Sequence, residues 1–200
     1  MPPFSQVTVN RFGYRLCRIG NIIDESLPAL WVAEGRGEMV DDGEQKVFSQ
    51  ARLIRRVEAW TPRTQRELAC DFAEHVLHLF EDEYPEDDRP RKLIEVSRRF
   101  ARGEATDDEL EEAQKDVWSS AWFCQPSFGA AACAAQSAAN VVERVDSWTA
   151  CLIARAGKSA SRAAELIAGD IGSVVGKDAR SAELSWQDQR LIEVLGLDPD

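Results

Sequence analysis

Residues 64–92 read TQRELACDFAEHVLHLFEDEYPEDDRPRK, and their reading decides the fold. Thr64 and Glu67 stand at the spacing of a capping box, in which each side chain satisfies the other's free backbone donor at a helix start. Behind them Leu68, Phe72, Val76, Leu79 and Phe80 recur at the period of one helix face. This predicts an amphipathic helix to about Glu83. Pro85 cannot continue it, because proline lacks the amide donor and pushes the preceding residue out of helical space. Six of the eight residues from Glu81 to Asp88 are acidic, and Arg89-Pro90-Arg91-Lys92 follows at once. The stretch predicts a helix, an acidic connector, and a second helix with Asp88 as its cap and Pro90 in its first turn. Tyr84, Pro85, Arg89 and Pro90 are expected to fix that joint, a structural role.

Outward from there the helical signals continue. Leu93, Ile94, Val96 and Phe100 form a buried stripe that Gly103 ends. Thr106 and Glu109 make a second capping box, followed by Leu110, Ala113, Val117 and Ala121 on one face. Residues 127–156 are rich in alanine, and Ala134, Ala138, Val141, Val145, Trp148 and Leu152 step like a coiled-coil seam. Gly157 is expected to end that helix, with a shorter one over 159–168. Gly169, Gly172 and Gly176 interrupt, and a last helix covers about 182–195. On the N-terminal side, Val47, Leu53, Ile54, Val57 and Trp60 predict a helix from about Lys46, ended by Thr61-Pro62.

Residues 1–45 differ. Gln6-Val7-Thr8-Val9 alternates as a short strand does. Five glycines, from Gly13 to Gly43, cut the region into pieces, with a brief helix over 24–32 and an acidic link over 39–44. The expected fold class is mainly α: a bundle of six or seven helices over 46–200, with a small irregular extension over 1–45 that is open to α+β structure.

Composition narrows the function. The formal net charge is −11, which disfavours nucleic acid as direct ligand, because phosphate binding needs clustered Lys and Arg. It favours a basic protein partner. The five cysteines, Cys17, Cys70, Cys124, Cys133 and Cys151, show no CxxC spacing, so neither a disulfide framework nor a zinc site is expected. Cys124, Cys133 and Cys151 read as small core residues. No stretch approaches the roughly 20 apolar residues of a membrane span, and the N-terminus lacks the pattern of a signal peptide. A reducing cytoplasm is the expected location.

Candidate chemistry is sparse. His75 and His78 are the only histidines, and with Asp71 they could share a helix face and hold a divalent metal. The order is not HExxH, and no second cluster adds ligands. No GxSxG, Walker or GxGxxG pattern occurs; 169–177 lacks the register of a phosphate loop. No catalytic residue, metal or cofactor is therefore assigned. The acids remain, in patches over 38–44, 81–88 and 104–116. The candidate partner-binding residues are Glu81, Asp82, Glu83, Glu86, Asp87, Asp107, Asp108, Glu111 and Glu112. Asp88 and Glu109 are set aside as caps.

One resemblance is carried by particular residues. Arg66-Glu67-Leu68-Ala69 opens the pattern, and Ala73-Glu74-His75-Val76-Leu77 continues it. Tyr84-Pro85-Glu86-Asp87-Asp88-Arg89-Pro90-Arg91, Ile94-Glu95 and the turn Arg102-Gly103-Glu104 follow, then the alanine-rich helix. Over residues 64–156 the chain resembles the helical "putative immunity protein" family of bacterial polymorphic-toxin systems, which also occurs on phages and mobile elements. The family's alanine-rich part usually carries histidines, and this chain has none there. The resemblance implies a non-catalytic inhibitor that binds and blocks a toxin. Two other readings stand beside it. One is a phage or mobile-element inhibitor of a host defence complex, of anti-CRISPR type, imitating nucleic-acid charge. The other is a metal-dependent enzyme built on His75 and His78.

Overall fold

The computed structural model describes residues 6–10, 13–17, 29–41, 45–118, 149–168 and 174–198. Four strands come first: β1 (Gln6–Asn10), β2 (Gly13–Cys17), β3 (Trp31–Asp41) and β4 (Gln45–Arg56). Six helices follow among the described residues: α1 (Pro62–His75), α2 (His78–Glu81), α3 (Arg89–Ala101), α4 (Asp107–Trp118), α5 (Thr149–Ala168) and α6 (Val174–Leu195). The fold is mainly α with a small N-terminal β extension.

The strands form one antiparallel sheet in the order β1-β2-β4-β3. This corrects two expectations. The helix predicted from Lys46 is strand β4, paired on both edges. Trp31 and Val32, placed in a brief helix, belong to β3; 24–28 lie outside the described residues. The helical spacing of Val47, Leu53 and Ile54 is coincidental, since Leu53 and Ile54 are more than half exposed. Cross-strand pairing decides the outcome: Phe48, with Leu16 and Ala33, makes a small buried cluster of the sheet.

Two glycines expected to break the chain lie inside β3. A Cβ on Gly35 would come within 2.4 Å of the Phe48 ring, so the missing side chain is what lets that ring lie across the strand. Gly37 has φ 79° at a bulge between Arg36 and Met39, where Glu38 N–H donates to Ser49 Oγ at 3.0 Å.

The helix starts and stops follow from capping. Thr61-Pro62 begins α1 rather than ending a helix before it. Thr61 accepts from Thr64 N–H at 3.1 Å, and Pro62 occupies a first-turn position that has no amide to satisfy. Thr64 is thus inside the helix, and Glu67 pairs with Arg63 instead of closing a box. The predicted long helix breaks at Val76 and Leu77 into α1 and α2. There i→i+3 bonds replace helical ones, and His78 Nδ1 donates to the His75 carbonyl at 3.1 Å. Asp88 is the N-cap of α3 by position, but its carboxylate makes no cap bond and pairs with Lys92 at 2.9 Å. Gly103, at φ 76°, closes α3: Glu104 N–H donates to the Arg99 carbonyl at 2.8 Å. The box at α4 forms as read, with Thr106 N–H on Glu109 at 2.8 Å and Glu109 N–H on Thr106 at 3.2 Å.

α1 packs on α3, α5 and α6, and α3 packs on α4. Leu68, Phe72, Phe80, Leu93, Ile94 and Leu110 are fully enclosed at the centre; each such side chain contributes about 1.5–3 kcal/mol of burial. Ala156, Ala160 and Ala163 give α5 a small-residue face in the same core. Gly157 does not end a helix. It sits within α5, where an added Cβ would meet Gln187 at 2.8 Å and Phe72 at 3.4 Å. Val174 to Ser181 extend α6 beyond its expected start, through Gly176. The seam predicted over 134–152 falls largely outside the described residues, as do Cys124, Cys133, Gly169 and Gly172. Leu30 and Val32 of the extension join the main core beside Val57 and Trp60. Val57 N–H donates to the Leu30 carbonyl at 2.9 Å, and Arg55 reaches the Gly196 carbonyl at 3.1 Å.

Candidate binding surface

The acidic connector 81–88 joins α2 to α3, and a short turn at Gly103 folds α4 back against α3. Arg99 locks that turn, donating to the Glu104 carbonyl and to Glu109, each at 3.0 Å. Glu109 thus receives Thr106 N–H and the Arg99 guanidinium together, which hold its carboxyl below the usual carboxylate range. α3 and α4 therefore form an antiparallel hairpin: the 81–88 connector lies at one end, Asp107 and Asp108 at the other, and α4 brings Asp116 back beside Arg89 and Lys92.

The connector is held by its own side chains. The Tyr84 ring lies 5.1 Å from Phe80, and its phenol is raised above the ordinary value chiefly by a hydrogen bond to Glu83. Arg89 clasps Asp87 through two nitrogens, and that bond raises the guanidinium further. Pro90 is buried. Of the four residues expected to fix this joint, Tyr84, Arg89 and Pro90 make these contacts, while Pro85 is exposed.

The candidate residues divide into two groups. Glu81 is bidentate with Arg91, at 2.6 and 2.7 Å, and Glu111 pairs with Lys115 at 2.7 Å. Asp87 is taken by Arg89, and Glu83 by Tyr84. Asp82, Glu86, Asp107, Asp108 and Glu112 are exposed and carry no ion pair or hydrogen bond among the described residues. Their number exceeds that of cations left beside them, since Arg89, Arg91, Lys92 and Arg99 all have acidic partners.

The face of Asp71, His75 and His78, weighed as a metal candidate, is built differently. Asp71 lies between Arg98 at 2.7 Å and Arg190 at 2.8 Å, and Arg98 also holds Glu74 at 2.6 Å. His75 stacks flat on Trp186, with ring centroids 3.6 Å apart, and its Nδ1 meets Glu183 at 2.7 Å. Glu183 is buried and accepts from Gln187 at 2.8 Å, and Gln187 also donates to the Gly157 carbonyl at 3.2 Å. This chain of contacts connects α1, α6 and α5. Among the described residues no group of three or more His, Cys, Asp or Glu side chains is arranged to hold a metal. Glu183, Gln187 and Arg190 were not legible as partners, because their contacts cross 108, 30 and 119 residues of chain.

These features define an α-helical domain whose outward face is charged and whose polar interior is spent on joining helices. The family model described as "Imm-5 like putative immunity protein" matches residues 58–193, well over half of the chain, and the chain belongs to that family. The match begins just after β4, so the sheet lies outside it. No curated protein and no solved structure matches the chain. No described helix is long and apolar enough to cross a membrane.

Proposed function

We propose that this protein is a non-catalytic cytoplasmic inhibitor that binds a basic toxin and occludes it with the acidic face of the α3–α4 hairpin. Family membership supplies the class of partner, a toxin. The observation that carries the charge of the interface is the set of unpaired exposed carboxylates Asp82, Glu86, Asp107, Asp108 and Glu112, beside cations already consumed in internal pairs. Binding of this kind gains speed from long-range attraction, so its association rate falls as salt screens the charges. The test pairs the protein with the toxin encoded beside its own gene. The combined reversal D82K/E86K/D108K should keep the fold, since exposed changes cost under about 0.5 kcal/mol each and the loss of Asp108 from the first turn of α4 costs about 0.3–1 kcal/mol. It should slow association at least about tenfold at low salt and weaken protection of toxin-expressing cells. Unchanged association and full protection would discard the acidic interface. Removal of residues 1–10, which takes the edge strand β1 and spares Leu30 and Val32 in the core, is the control for an interface carried by the extension.

A further inference from the structure

The α3–α4 hairpin encloses a groove of about 290 Å³. Its floor is apolar, formed by Val96 and Ala113, both of which pack against the main core. Three cations line it, and each is already engaged: Arg89 by Asp87, Lys92 by Asp88 and Arg99 by Glu109. Glu95 on α3 and Glu112 and Asp116 on α4 line the same groove; Glu95 lies within electrostatic reach of Arg91 and Lys92, but neither Glu95 nor Glu112 makes an ion pair or hydrogen bond among the described residues. The volume lies at the lower edge of the roughly 300–1,000 Å³ of small-molecule sites, enough for one long side chain. An apolar floor beneath two unpaired carboxylates matches a side chain with a hydrocarbon stem and a cationic head.

We propose that this groove takes a single arginine or lysine side chain projecting from the toxin, its stem on Val96 and Ala113 and its charge between Glu95 and Glu112. The proposal rests on the basic-partner reading and adds the anchor that reading lacks, since distant charges steer encounters while a direct charge contact on an apolar floor sets residence. Glu95 is the residue that no acidic run in the sequence pointed to.

The test uses the full isotope-labelled chain and two probes, N-acetyl-arginine methylamide and its citrulline counterpart, which has the same shape without charge. The arginine probe should shift backbone amides within 92–99 and 109–116. Citrulline should bind at least about tenfold more weakly, and E95Q/E112Q should weaken arginine binding by a similar factor. Equal response to both probes, shifts confined elsewhere, or unchanged binding by E95Q/E112Q would overturn the groove. If the groove fails while D82K/E86K/D108K still slows association with the toxin, the basic-partner reading stands without it. If the groove binds arginine but that reversal changes nothing, the anchor holds and the acidic rim falls.

Discussion

Cys70 shows how burial sets the chemistry of a single residue. The sequence leaves open whether this thiol is reactive. The structure encloses it completely, with its sulfur 3.9 Å from the Ile94 carbonyl. Burial pushes the thiol up to about 12, because a thiolate there would lose its hydration. Alkylation proceeds through the thiolate, so at pH 8 buried Cys70 should react far more slowly than a free thiol. Peptide mapping after iodoacetamide treatment should find it unmodified in native protein and modified in urea. Rapid native labelling would contradict its placement. At the same scale, Gly35 and Gly157 read as breaks in the sequence and are close approaches in the fold. The sequence marks a glycine but not its neighbour: Phe48 decides the first position, and Gln187 with Phe72 the second.

At the scale of the element, the local signals were the legible ones. The Thr106–Glu109 box, the Gly103 stop and the stripe from Leu93 to Phe100 all depend on residues a few positions apart, and all appear. Glu109 also gives this element a pH signature. Its folded carboxyl lies below its unfolded value of about 4.3, so its contribution is present above that pH and is lost as pH falls through the folded value. Thr106→Ala should cost about 1 kcal/mol at pH 7. It should also lessen the drop in stability between about pH 5 and pH 3 by a small amount, because the hydroxyl's hold on the carboxylate is lost while the backbone N–H at 106 and Arg99 remain. Urea unfolding of both proteins across that range checks this; parallel pH curves would remove the box from the account. The strand–helix error at 46–56 belongs to the same scale. A short run with apolar residues at mixed spacing fits either element, and β4 becomes a strand because β2 and β3 stand on both sides of it.

The whole molecule is joined by contacts between distant parts of the chain. The link from His75 through Glu183 and Gln187 to Gly157 ties three helices. Removing His75 takes one of two hydrogen-bond partners from a carboxylate only 4% exposed, which keeps Gln187. His75→Ala should therefore cost about 1.5–3 kcal/mol, the range for a hydrogen bond to a charged group, and His75→Ala with Glu183→Gln less than the sum of the two single changes. Denaturant unfolding measures both. A loss under about 0.5 kcal/mol for His75→Ala would show that the link carries no stability.

The sequence by itself determined that the molecule is mainly helical, where α3 and α4 begin or end, and that its surface is acidic, because caps, periodicity and charge are properties of neighbouring residues. The tertiary structure alone decided the rest. It set β4 as a strand, gave His75 and Asp71 to helix joints instead of a metal face, and separated the acids into those already paired and those left open. Each of these depends on a partner brought near only by folding, from Phe48 over Gly35 to Arg190 on Asp71. No local pattern encodes which distant side chain will arrive.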